Sequence, residues 1–124
     1  MNKRTTGKIY EEKAAAFLKE RGFFLLEKNY RCRQGEVDLI GIHDGCLVFV
    51  EVKYRKDKRS GMPEEAVGPA KQMKICMVSD YYRMREPSAA ERQIRYDVVA
   101  VCGEDIRWYR NAFSYVRRGS GYSW

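Results

Sequence analysis

Two acidic residues and a lysine lie close together in the sequence, on either side of an Asp44-Gly45 pair. Asp38 is in one apolar run, and Glu51 and Lys53 are in the next. Asp-Gly between two apolar runs predicts a β-hairpin with a two-residue turn. Such a turn places Asp38 opposite Glu51. Because side chains alternate along a strand, Glu51 and Lys53 share one face.

Two carboxylates that face each other across a hairpin repel, so this arrangement does not serve stability. A divalent cation between them would remove the conflict, because hard cations take carboxylate oxygens. The same register places Glu36 opposite Lys53, and a slip of one residue would turn every side chain to the other face. The alternative is an edge hairpin whose charges face water, with Lys53 neutralising Glu51 or Glu36.

Hydrolysis of a phosphodiester is the chemistry that these groups fit. It needs a metal to polarise the phosphate, an activated water and neutralisation of the developing charge. Asp38 and Glu51 can supply metal ligands, together with the backbone carbonyl of Val52. Lys53 can orient the water or stabilise the negative charge. We favour this electrostatic role over a general-base role, because nearby carboxylates favour the charged form of an amine.

The length and composition indicate one domain over residues 1–118 and a flexible tail over 119–124. A net charge of +7 favours a polyanionic partner such as nucleic acid. No apolar run approaches the ~20 residues of a membrane span, and no secretory signal is visible.

The four cysteines are too widely spaced to indicate a zinc site and are expected as free thiols in the cytoplasm. His43 is expected in an exposed loop.

The elements that must position these side chains can be read from the apolar pattern. Tyr10, Ala14, Phe17 and Leu18 form the apolar stripe of a first helix, which leaves Glu11 on the flank of that stripe, at the edge of the core. The predicted elements are a helix over 7–21, strands over 23–30, 36–43 and 46–55, a charged loop over 55–62, a helix from Pro69 to Pro87, a loop over 88–91, and strands over 95–101 and 106–109.

The second helix is predicted to begin at Pro69, a residue favoured in the first turn. Its buried stripe is predicted to consist of Ala70, Met73, Met77, Tyr81 and Met84. Lys71 and Gln72 then lie near the helix start, away from that stripe.

The order of these motifs resembles a known family. Asp38 followed by Glu51-Val52-Lys53 resembles the Asp and Glu-x-Lys signature of restriction-endonuclease-like nucleases. Over residues 7–113 the chain also resembles the YraN-like family of small bacterial proteins. The matching segments are Gly7-x-x-x-Glu11-Glu12, Asn29-Tyr30-Arg31-Cys32, Gly35-Glu36-Val37-Asp38-Leu39-Ile40, Phe49-Val50-Glu51-Val52-Lys53, Lys71-Gln72, Arg95-Tyr96-Asp97-Val98-Val99 and Asn111-Ala112-Phe113.

The resemblance implies an α/β fold with the restriction-endonuclease-like αβββαβ core, in which helices flank a mixed central sheet, as in archaeal Holliday-junction resolvases. Carried over by position, Asp38 and Glu51 hold Mg²⁺, which Mn²⁺ can replace, and Lys53 is catalytic. Glu11 completes the site directly or through water, and Gln72 supports it.

The activity that the resemblance implies is a Mg²⁺-dependent nuclease acting on DNA rather than RNA, with branched DNA as one candidate substrate. A homodimer is compatible with it. Tyr10 departs from the pattern, because the family usually has Gly there, and it could crowd the approach to Glu11. Two alternatives stay open: a non-catalytic nucleic-acid-binding module or adaptor with the same fold, and a protein-interaction subunit.

Overall fold

The computed structural model describes residues 3–55 and 67–116, with side chains from residue 7 onward. The predicted tail over 119–124 and nearly all of the predicted charged loop over 55–62 lie outside these residues. The helices are α1 (Lys3–Glu20), α2 (Pro69–Arg85) and α3 (Pro87–Ala90). The strands are β1 (Phe24–Cys32), β2 (Gly35–His43), β3 (Cys46–Tyr54), β4 (Ile94–Cys102) and β5 (Asp105–Phe113).

The strands form one mixed sheet whose spatial order, β1-β2-β3-β4-β5, follows the order of the chain. Only β3 and β4 are parallel, and α2 and α3 lie in the crossover that joins them. One apolar cluster includes Leu18 of α1, and another includes Ile75 of α2, each together with sheet residues. The predicted α/β fold is therefore confirmed, and β5 extends the αβββαβ core. Within the described residues no helix has the length and apolar character needed to cross a membrane.

The hairpin between β2 and β3 forms as predicted. Asp44 and Gly45 have φ values of 51° and 79°, the left-handed pair that a type I′ turn needs. Five residue pairs follow the predicted register, from His43 opposite Cys46 at the turn to Leu39 opposite Val50. Because β2 and β3 both lie inside the sheet, the edge position in the alternative is wrong.

The predicted stripe of α2 is wrong, because another set of residues faces the sheet. The buried residues are Ile75, Cys76, Val78, Ser79 and Tyr82. Met84, in contrast, is 72% exposed. A step of two residues turns a helix by about 200°, so Ile75 and the predicted Met73 lie on nearly opposite sides. Packing selected the branched and smaller side chains, and the flexible methionines lie on the outer side.

Other boundaries also differ from the prediction. α1 begins at Lys3 rather than at residue 7, and β1 ends at Cys32 rather than at residue 30. The predicted loop over 88–91 contains the short helix α3, since Pro87 is suited to a first helical turn. β5 is longer than predicted because its pairing with β4 extends from Asp105 to Phe113. This pairing is a tertiary contact that local patterning does not encode.

A buried polar network lies beside the hairpin turn. Asp97, fully buried on β4, forms an ion pair with Arg95 at 2.8 Å. It also accepts hydrogen bonds from the Trp108 indole N–H and the Asn111 backbone N–H, both at 2.8 Å. The predicted exposure of His43 is wrong: it is only 4% exposed, and its Nδ1 accepts a 3.0 Å hydrogen bond from the Arg95 guanidinium. Asp97 thus ties β4 to β5, and Arg95 connects it to His43 beside the turn.

Candidate active site

The candidate site lies where β2 and β3 separate. Their ladder ends at the Leu39–Val50 pair, one position before Asp38 and Glu51. Beyond it, the Val52 N–H donates a 2.7 Å hydrogen bond to Oδ2 of Asp38. The Asp38 carboxylate therefore takes a backbone hydrogen bond at the point where the strands part.

The predicted position of Glu36 opposite Lys53 lies beyond the end of this ladder. Glu36 instead pairs with Arg31 of β1, its Oε2 lying 2.8 Å from the Arg31 Nε. The side chains of both residues are largely exposed, so this pair contributes little to stability. Glu36 also lies close enough to Glu11 for its charge to help raise the pKa of Glu11.

Glu51 is the buried acidic centre of the site, with 6% of its surface exposed. The Nζ of Lys53 lies 3.7 Å from Glu51 Oε2, as the shared strand face predicts. The Nζ of Lys71 lies 3.8 Å from the same oxygen. Lys71 was not predicted as a site residue, because the predicted apolar stripe lies on the other face of α2. Two ammonium groups thus share one carboxylate oxygen.

Asp38 is electrostatically unusual. Burial is the main cause that raises its pKa to about 7, and the neighbouring Glu51 carboxylate adds to the rise. The Val52 N–H and the positive charge of Lys71 act in the opposite direction. A carboxyl group shifted by burial together with a specific charged partner is a frequent sign of a functional site.

Glu11 is brought to the same place by α1. Burial raises the pKa of Glu11, and the nearby Asp38 charge adds to the rise. A hydrogen bond with the Asn29 side chain opposes it. Asn29 adopts a left-handed backbone, φ 52°, which Asn tolerates better than most residues. Glu11 therefore lies at the edge of the core as predicted, and Asn29 is a further neighbour that was not predicted.

Gln72 and Tyr10 make contacts around the site. The Gln72 side-chain N–H donates a 2.8 Å hydrogen bond to the Val67 carbonyl, which ties the chain before α2 to its first turn. The Tyr10 ring stacks on Tyr54 at the end of β3, with ring centroids 4.3 Å apart. Gln72 is thus placed to support the helix start, and the Tyr10 ring is held against β3.

Few side chains at this site could bind a metal ion. In the part of the chain that the structure describes, no three or more His, Cys, Asp and Glu side chains group closely enough to hold a metal. Mg²⁺, however, is commonly bound through one or two carboxylates, with water and substrate phosphates as its other ligands. Asp38 and Glu51 fit that pattern, whereas they could not form a closed structural site.

The raised pKa of Asp38 predicts a pH-dependent stability. In the unfolded chain an Asp loses its proton near pH 4, but in the folded protein Asp38 keeps it up to about pH 7. The folded state therefore binds an extra proton in this window, and stability falls as the pH rises through it. Asp38→Asn cannot ionise. We expect its stability relative to wild type to rise by on the order of 4 kcal/mol between pH 4 and pH 8, because each unit of pKa shift corresponds to about 1.4 kcal/mol.

Urea unfolding at both pH values, with a chelator present, measures this difference. Glu12→Gln, which changes an exposed carboxylate on α1, is the matched control and should follow the wild type. Parallel pH profiles for wild type and Asp38→Asn would contradict the prediction.

Comparison with known proteins gives a consistent result. Residues 10–101 match the model of "Uncharacterised protein family UPF0102". A UPF0102 protein of Lachnoclostridium phytofermentans is 43% identical over 113 residues, which cover 91% of this chain and 96% of that protein. One from Syntrophus aciditrophicus is 48% identical over 96 residues, 77% of this chain and 75% of that protein. One from Caldicellulosiruptor saccharolyticus is 41% identical over 119 residues, 91% of this chain and all of that protein.

Proposed function

The chain belongs to the uncharacterised protein family UPF0102, which is the YraN-like family that its motifs resemble, and we propose its function from the geometry of the candidate site. The protein is a Mg²⁺-dependent nuclease that hydrolyses phosphodiester bonds in DNA. The observation that carries the proposal is the convergence of Asp38, Glu51 and Lys53 where β2 and β3 separate.

The charges of the site support a metal-dependent activity. Asp38 and Glu51 are close enough for the Glu51 charge to raise the pKa of Asp38. A cation held by both carboxylates would relieve this repulsion, since hard cations bind carboxylate oxygens. Mn²⁺ could replace Mg²⁺ there, because both accept the same oxygen ligands.

Each residue has a distinct role in the proposed reaction. Asp38 and Glu51 hold the metal, with the Val52 carbonyl as a further ligand, and Mg²⁺ supplies Lewis-acid polarisation of the phosphate when bound there. Lys53 orients the attacking water or neutralises the charge that develops on the phosphate. Glu11 completes the site directly or through water, and Gln72 supports it by fixing the start of α2.

The proposed substrate is DNA, with branched DNA as a leading candidate. The net charge of +7 favours binding to a polyanion, and the likeness to junction resolvases favours DNA over RNA. A homodimer would match the two-fold symmetry of a four-way junction. The four free cysteines are compatible with a cytoplasmic location.

The test is a cleavage assay with labelled single-stranded, duplex, flap and four-way-junction DNA, and with RNA, in Mg²⁺, Mn²⁺ or chelator. We expect metal-dependent cleavage of at least one DNA by the wild type. We expect Asp38→Asn to lose about 99% of that rate. The Asn amide oxygen can still accept the Val52 N–H hydrogen bond, so the variant should fold. Equal cleavage by both proteins would identify a contaminant and contradict the proposal.

A second candidate function is a nucleic-acid-binding module without turnover. The pairing of Glu51 with two ammonium groups favours it, because these groups compete with a metal for the same oxygen. This function predicts DNA binding that weakens with salt, no product with any metal, and the same affinity for Asp38→Asn and wild type. The cleavage assay, run beside a binding titration, separates the two functions.

A further inference from the structure

Lys71 occupies a core-facing position of α2. It precedes the buried Ile75, Val78 and Tyr82 by four, seven and eleven residues, the spacing of one helix face. An apolar residue would ordinarily stand at such a position. Lys71 stands there instead, and its Nζ lies 3.8 Å from Glu51 Oε2.

The two lysines cover Glu51 and remain accessible themselves. The Glu51 side chain is 7% exposed, whereas those of Lys53 and Lys71 are 34% and 37% exposed. Both N···O distances exceed the usual length of a hydrogen bond, so neither ammonium is held tightly by Glu51. An anion that approaches the site would therefore meet the two ammonium groups before it meets Glu51.

We propose that Lys71 is a second phosphate-binding cation of this site, which pairs with Glu51 in the metal-free protein and contacts the nucleic-acid backbone once a metal takes the Glu51 oxygen. The inference rests on the proposed function, since it needs a metal and a phosphodiester at the same place. It assigns Lys53 and Lys71, from β3 and α2, to two sides of one phosphate-binding site.

A purely structural role for Lys71 makes different predictions. If Lys71 served only to neutralise Glu51, its replacement would alter stability and leave DNA affinity unchanged. If it binds phosphate, its contribution to DNA affinity should appear when a metal is bound, because Glu51 then no longer competes for the ammonium. The dependence of the Lys71 contribution on metal is thus the distinguishing measurement.

The test compares Lys71→Met with Lys74→Met, which removes an exposed lysine one turn later on the same helix. DNA affinity is measured against salt concentration, once in chelator and once in Ca²⁺, which takes the same oxygen ligands. The salt slope is the steepness with which the logarithm of the DNA-binding constant falls with the logarithm of salt concentration. In Ca²⁺ we expect Lys71→Met to reduce this slope by about one relative to wild type, which is the change for one lost phosphate contact. In chelator we expect little change.

Lys74→Met should have the same effect on the salt slope in Ca²⁺ and in chelator. Lys71→Arg should keep most of the wild-type salt slope in Ca²⁺. A Lys71→Met protein that matches Lys74→Met in both conditions, or that loses the same slope in both, would overturn the inference. Circular dichroism of each variant checks that it is folded.

The two proposals fail in different ways. A wild type that cleaves DNA while Lys71→Met binds and cleaves like the wild type overturns the role of Lys71 alone. A wild type that neither binds nor cleaves any substrate overturns the proposed function and, with it, the inference. A wild type that binds without cleaving, and that loses slope in Ca²⁺ on Lys71→Met, supports Lys71 as a phosphate-binding residue of the non-catalytic alternative.

Discussion

Glu51→Gln should lower the rate of nucleic-acid cleavage by about a thousandfold, the scale seen when one preorganised electrostatic group of an active site is lost. Gln has the same shape as Glu, so the packing around this buried side chain is kept. It removes the negative charge that is proposed to bind the metal, and it leaves the positive charges of Lys53 and Lys71 facing an uncharged amide. Single-turnover cleavage rates with saturating enzyme measure the effect on the chemical step.

Glu20→Gln is the matched control, because it removes an exposed carboxylate that lies at the end of α1, nine residues beyond Glu11, and pairs with Arg21. Its rate should stay within about twofold of the wild type, since an exposed ion pair contributes little. If Glu51→Gln retained most of the wild-type rate at saturating Mg²⁺, Glu51 would not be a metal ligand in the reaction.

Asp97→Ala should destabilise the protein by about 3–5 kcal/mol, a large fraction of the stability of an ordinary domain. Asp97 is fully buried, and its removal leaves Arg95, whose side chain is 13% exposed, without its carboxylate partner. The Trp108 indole N–H and the Asn111 N–H also lose their acceptor. Chemical unfolding followed by circular dichroism measures the loss.

Asp80→Ala provides the comparison. It removes an exposed carboxylate that accepts a hydrogen bond from the Tyr115 hydroxyl, and should cost about 1 kcal/mol or less. The double variant Arg95→Met and Asp97→Ala should recover part of the lost stability, because it no longer buries an unpaired charge. Similar unfolding midpoints for Asp97→Ala and Asp80→Ala would show that the buried network contributes little.

The acidic part of the candidate site could be predicted because its geometry is local. A two-residue turn at Asp44-Gly45 determines which residues of β2 and β3 face each other, and five pairs follow that register. The side on which Lys53 and Glu51 lie then follows from strand alternation alone. Glu11 could be placed because the apolar stripe of α1 is unambiguous.

The basic part of the site could not be predicted in the same way. α2 carries two competing stripes, and methionine and tyrosine made the outer stripe look more apolar than the inner one. Only packing against the sheet selects Ile75 and Tyr82, and that choice turns Lys71 toward Glu51. Residues 71, 75, 78 and 82 have the spacing of one helix face. Because the first of them is a lysine, this face was not recognised as the buried one.

Long-range contacts account for the remaining errors. His43 lies next to a turn, where an exposed residue is the usual expectation, and its burial depends on Arg95 and Trp108, more than fifty residues away in the sequence. The extent of β5 depends likewise on its pairing with β4. Neither feature has a local pattern from which it could be read.

The hydrogen bond between Asp38 and the Val52 N–H has a practical consequence. It connects a titrating carboxylate to a single backbone amide, and amide resonances respond strongly to the charge of their acceptor. In a ¹⁵N-labelled sample, the Val52 signal is therefore an internal reporter for the ionisation of Asp38 and for any ion that binds it. The occupancy of the site becomes observable by spectroscopy, without any substrate.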